Sequence, residues 1–201
     1  YYPYLAYPSE LPFLARDEVS GQQVWSGKWG YPGDYSYLEF HKKHFPGGMR
    51  YWRITSHEAD LGDKMPYDPQ RTKERIEENS SHFVNMLLET LKGKKEGVIV
   101  ALYDTELFGH WWFEGPEWLY LVLKKLSRNS LKPLVASKCL ERILPQKIIS
   151  LPEGSWGKGG FHWIWLNEDT SWIWEKIYKI EEEASQLSKH SYPKDKRLLK
   201  Q

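Results

Sequence analysis

Residues 97–103, Gly-Val-Ile-Val-Ala-Leu-Tyr, form one continuous β-branched and apolar run, and no other feature restricts the fold of this chain as much. Such a run, without polar alternation, suits a strand covered on both faces, as in a parallel sheet between helices. It is far too short to cross a bilayer. Its surroundings agree. Asp68-Pro69 reads as a helix start, with Asp as the cap and Pro at the first helical position. Ile76, Phe83, Leu87 and Leu91 then recur at spacings of seven, four and four, one stripe of an amphipathic helix. Gly93 is its expected stop. Beyond the run, Pro116 opens a second helix through Leu126, and residues 134–137 read as a second short buried strand, followed by a helix to about Leu144. The order strand, helix, strand, helix implies parallel strands joined by helical crossovers.

The flanks are less regular. Residues 1–50 are rich in Pro, Gly, Asp and Tyr and read as long loops with short helical turns, whereas 50–55 alternates as a strand does. A last amphipathic helix begins near Thr170 and repeats Ile173, Ile177, Ile180, Ala184 and Leu187 along one side. The expected organisation is a single incomplete α/β domain: a loop-rich active-site segment over 1–60, βα units over 61–150, and a Trp/Gly-rich loop with the final helix over 151–201.

Charge excludes some partners. Lys and Arg number 28 against 27 acidic residues, for a net charge of +1, and no basic run is long enough for a nucleic-acid stripe. The basic tail over 194–200 reads as a solvated end. The single cysteine, Cys139, excludes an internal disulfide and favours a reducing compartment. With neither a signal segment nor a membrane span, a soluble cytoplasmic protein is expected. Its opening Tyr1-Tyr2-Pro3-Tyr4 has no initiator Met, which suggests a fragment. The Lys/Glu-rich, Cys-poor composition suggests a thermophile. Neither metal nor cofactor is expected. The seven histidines show no HExxH or paired Cys/His spacing, His41 and His44 suit a solvated helix face, and no Gly-rich phosphate loop follows a strand.

The outlying feature is aromatic: 11 Trp, 13 Tyr and 7 Phe. A large aromatic core accounts for some of them. Many Trp, however, sit beside Gly, Ser, His and Asp in loop-like segments, and flat indole faces among polar groups are what sugar rings stack against. Three constellations stand out. The first, Asp104 to Gly115 (DTELFGHWWFEG), directly succeeds the apolar run, at the edge where parallel strands place active sites. There a carboxyl among aromatic rings is expected to have a raised pKa, as a general acid requires. Glu106 is its local rival, and His110 with Trp111 or Trp112 would orient a sugar. The plainer reading is a helix-capping Asp and a core Trp pair. The second constellation runs from Leu151 to Asn167, where Trp156 between glycines, Trp163 and Trp165 would stack; a turn with core tryptophans is the alternative. The third joins Arg16-Asp17, Trp25 and Gly33, where a surface ion pair and simple turn chemistry are the competing explanation.

These motifs resemble glycoside hydrolase family 57. Asp104-Thr-Glu-Leu-Phe-Gly-His-Trp-Trp-Phe-Glu-Gly115 resembles its fourth signature, whose first Asp is the general acid. Residues 154–160 (GSWGKGG) and 165–167 (WLN), with Val24-Trp25-Ser26 and 30–34 (GYPGD), resemble the 1,4-α-glucan branching enzymes within it. The resemblance covers about residues 12–190. It implies a distorted (β/α)7 barrel, retaining chemistry on α-glucans such as amylose and glycogen, and transfer that makes α-1,6 branches. It assigns Asp104 as acid/base, Arg16, Gly33 and Trp156 as glucan contacts, and Trp25 and Trp165 as aromatic subsite residues. The family's nucleophile motif, of Trp-Leu-x-Glu-Cys-Gly type, does not occur here. Nor do its opening His-containing strand and the helical bundle after the barrel. The chain is thus expected to need the remaining part of the enzyme, and to be inactive alone. A 4-α-glucanotransferase or amylase of the same family, or a non-catalytic glucan-binding protein or subunit, are the alternatives; Ser155-Trp156-Gly157 argues against the first.

Overall fold

The computed structural model describes residues 1–190. The described residues divide into two compact units, the first Tyr1–Ser150 and the second beginning at Leu151.

The first unit is built on the helix expected from Asp68. Helix α2 runs Pro69–Leu91, and the Asp68 carboxylate accepts from the backbone N–H groups of Gln70 and Arg71, two of the donors a helix start leaves unpaired. Its stripe of Ile76, Phe83 and Leu87 is buried, and the helix stops before Gly93. Helix α3 (Gly115–Leu126), with Pro116 in its first turn, packs Trp118, Val122 and Leu126 against α2. Between them lies an aromatic core. The Trp118 ring meets Phe83 at 4.9 Å and Trp112 at 5.1 Å, and Tyr31 closes over it at 5.5 Å. Aromatic pairs at such offsets contribute about 0.5–1.5 kcal/mol each beyond the area they bury. Helix α1 (Glu18–Trp25) is capped by Asp17, which accepts from Ser20 N at 2.8 Å, and α4 spans Ala136–Arg142.

The strands depart from expectation. Residues 97–103 form neither strand nor helix and join no ladder, and Ala101 and Leu102 are exposed rather than covered on both faces. The reason is pairing. Among the described residues, this segment's backbone receives Asp17 N–H at Val100 O and donates Val98 N–H to Tyr1 O, both at 2.9 Å. A buried strand needs partners along both edges. Residues 134–135 join no strand either, with α4 already beginning at Ala136, and 50–55 contributes only isolated bridges, Leu38 to Arg53 and Trp52 to Pro66. The sheet that does form has order β2–β1–β3. β1 (Tyr4–Tyr7) pairs antiparallel with β2 (Leu11–Phe13) and parallel with β3 (Lys147–Ser150), Leu5 facing Ile148. The segment expected to be loop therefore supplies the central strand of a small mixed sheet. The unit is α/β, with helices and a partly parallel sheet.

The second unit has a glycine-rich loop followed by α5 (Ser171–His190), which starts where Thr170 predicts. No helix among the described residues is long and apolar enough to cross a membrane.

Candidate active site

Asp104 caps the short 3-10 turn Thr105–Leu107 at the end of the apolar segment. Its carboxyl is exposed and makes no capping hydrogen bond. The carboxyl expected to lie buried among aromatic rings is thus open to solvent. The turn also sets the course of the next residues. Trp112 N–H donates to Leu107 O at 2.9 Å and Gly109 N–H to Trp112 O at 2.8 Å, folding the motif back on itself. That fold separates the adjacent tryptophans. Trp112 is 1% exposed and belongs to the core, while Trp111 is 51% exposed, so only Trp111 is free to meet a ligand.

Trp111 forms part of a wall. Its ring lies 4.5 Å from Phe40, His110 stands edge-on to it at 5.1 Å, and the Arg50 guanidinium covers Phe40 at 4.5 Å. The wall lines a cavity of about 400 Å³ that Trp25, Gly33, Glu39, His57 and Lys64 also face. Trp25 reaches it because it ends α1, and the chain then turns through Ser26, whose hydroxyl accepts from Trp29 N–H at 2.9 Å. Gly33 is required by close approach: a Cβ there would lie 1.9 Å from the Gly27 carbonyl oxygen. Its position is therefore explained by packing, with or without a ligand. Lys64 and Glu39 pair at 3.2 Å in the cavity wall, both largely buried. Burial pushes the Glu39 carboxyl up, but hydrogen bonds from His41 and Lys64 outweigh it and hold the group below the usual carboxylate range. Sequence reasoning missed Phe40, Glu39, His57 and Lys64, for no motif marks them.

Arg16 is exposed, packs its side chain on Gly21, and adjoins the Tyr103 phenol. Tyr103 donates to Ser20 O at 2.9 Å, and burial raises its pKa well above the ordinary phenol value. Arg16 thus stands near the residue that precedes Asp104. Within the motif, Glu114 is buried. Its Oε1 accepts Leu38 N–H at 2.9 Å, Tyr67 lies nearby, and Oε2 has no partner in hydrogen-bond geometry. Desolvation raises its pKa above the ordinary glutamate value, more than the hydrogen bonds lower it.

In the second unit Trp156 is 91% exposed and meets Trp165 edge-to-face at 5.0 Å. Gly157 permits the contact, because a Cβ there would lie 2.9 Å from the Trp165 ring. Trp165 is half-buried, its carbonyl accepting from Trp174 Nε1 at 2.7 Å, and Trp163 is exposed. Trp25 and Gly33 of one sequence constellation and Trp111 of another thus line one cavity in the first unit, and Trp156 meets Trp165 in the second.

No family model matches the chain. The 1,4-alpha-glucan branching enzyme of Thermococcus kodakarensis is 47% identical over 186 residues, 90% of this chain and 28% of that protein. A crystal structure of a GH57 branching enzyme from Thermococcus kodakaraensis, in complex with glucose, matches at a TM-score of 0.81 and 44% identity, over 96% of this chain and 36% of that one. The alpha-amylase AmyC from Thermotoga maritima matches at 0.72 and 29% identity, over 96% of this chain and 40% of that one. The chain therefore spans about 28% of the length of its Thermococcus relative.

Proposed function

We propose, from its likeness to a 1,4-alpha-glucan branching enzyme and to two solved GH57 branching enzymes, each matched over a segment of its length, that this chain is the acid/base-bearing part of a 1,4-α-glucan branching enzyme. The identity of 47% across 90% of the chain carries this reading. Asp104 protonates the glycosidic oxygen as an α-1,4 bond breaks, then takes the proton from the 6-hydroxyl of an acceptor glucan as the α-1,6 bond forms. A retaining pathway needs a second carboxylate about 5–5.5 Å away as nucleophile. That group belongs to the remaining part of the enzyme, whose strands flank 97–103 in a distorted (β/α)7 barrel. The open backbone edges of 97–103 support such neighbours. Arg16, Gly33 and Trp156 contact the glucan, and Trp25, His110, Trp111 and Trp165 shape its subsites. Exposed indoles beside a cavity suit stacking on sugar rings. The free, buried Cys139 suits a cytoplasmic setting.

The amylase neighbour favours a second reading, in which water replaces the acceptor hydroxyl. Incubating amylose with the longer enzyme separates them. New α-1,6 linkages, counted by isoamylase digestion, support branching; reducing ends without such linkages support hydrolysis; neither product leaves a glucan-binding role.

A further inference from the structure

A second concavity of about 880 Å³ adjoins the first, the two sharing Gly33 and His57 in their linings. Its lining includes Trp29, Tyr35, Gln23, Asn79, His82 and the Asp34–Arg75 pair. Neither Asp104 nor the Trp111 wall takes part in it. We propose that this surface is a second glucan-binding site, one that holds a neutral oligosaccharide chain outside the catalytic cleft; it rests on the proposed action on glucans and extends it.

Three observations support it. Trp29 is 78% exposed, yet its backbone is fixed, with its N–H held by Ser26 Oγ at 2.9 Å and the neighbouring Lys28 carbonyl adjoining His57 Nε2 at 3.1 Å. The Lys28 ammonium stands 5.1 Å from the centre of this indole, which remains mostly exposed to water. Tyr35, also exposed, stands edge-on to His57 at 5.1 Å and adds a second ring nearby. Next, the floor is polar and rigid. Arg75 donates to Asp34 through Nε at 2.9 Å and Nη2 at 2.6 Å, Asn79 Nδ2 reaches the same carboxylate at 3.3 Å, and His82 Nδ1 pairs with the Tyr31 hydroxyl at 2.7 Å. Asn79, His82 and Gln23 all line the concavity and carry donors and acceptors of the kind sugar hydroxyls use. Lastly, charge balances. Lys28, Arg71 and Arg75 face Asp34, Glu58 and Glu78, so nothing draws in an anion such as a phosphate. A neutral polyhydroxyl chain fits an aromatic platform with a charge-balanced polar floor.

The test uses the longer enzyme in native gels containing amylopectin, with Trp29→Ala and, separately, Gln23→Ala. Both changes lie away from the core, so the fold is retained. The expected result is that Trp29→Ala weakens retardation by amylopectin about 3- to 10-fold, as loss of one stacking contact implies. Gln23→Ala should act in the same direction, and KM for long amylose should rise while kcat holds. Wild-type retardation in both variants would overturn the proposal and leave the branching reading intact. Absence of any retardation in the wild type, with no branching of amylose, would overturn both. Equal loss of kcat in Trp29→Ala would also overturn it, since the site would then belong to the catalytic cleft.

Discussion

Glu114 shows how one buried carboxyl can organise the cavity wall. It receives Leu38 N–H, and Leu38 adjoins Glu39 and Phe40, which face the cavity. Its folded-state pKa is raised by burial. The protonated form is therefore the better-folded one. That contribution is fully present below the ordinary glutamate value and is lost as pH rises through the raised one. Glu114→Gln keeps the acceptor for Leu38 and abolishes the ionisation. Urea melts between about pH 4 and pH 8 should show the variant gaining on wild type as pH rises. Parallel curves for the two proteins would contradict this. Asp34 behaves in the opposite sense. Burial raises its pKa, but hydrogen bonds from Arg75, Ser36 and Asn79 outweigh this and hold it below the ordinary value. Its stabilising share is present above that value and is lost as acid protonates it.

At the scale of elements, α2 holds the first unit together. Asp68→Ala should cost about 1 kcal/mol through its cap, and Phe83→Ala about 3–5 kcal/mol through the aromatic core. Equal costs in chemical denaturation would show that burial of this helix does not dominate. The helices were legible because their signals are local: a capping Asp, a first-turn Pro and a stripe at helical spacing lie within each segment. The strands were not. β1 is four residues beside prolines, and its parallel partner β3 lies some 140 positions later, a pairing no local pattern announces. Residues 97–103 have the composition of a buried strand, but a ladder also requires neighbours, and the described residues supply two hydrogen bonds. The site divides in the same way. Trp25, Gly33 and Trp111 stood in recognisable motifs. Which of Trp111 and Trp112 turns outward depended on the Leu107–Trp112 hydrogen bond, and the Glu39–Lys64 pair on a contact across 25 positions.

The whole molecule exposes many apolar side chains, among them Leu102 near Asp104 and Ile177 and Ile180 on α5. The chain spans about 28% of the length of its Thermococcus relative. In the longer enzyme, amide protons of 97–103 should be protected from exchange as a central strand's are; exchange at loop rates would contradict the barrel proposal. The chemistry is tested most directly at Asp104. The count of α-1,6 linkages made from amylose should be compared for the longer wild-type enzyme, Asp104→Asn and Glu106→Gln. General acid–base catalysis contributes on the order of 10²–10⁴-fold. Asp104→Asn should lower the branching rate by at least that range while Glu106→Gln loses far less. A mild Asp104→Asn beside a severe Glu106→Gln would contradict the assignment.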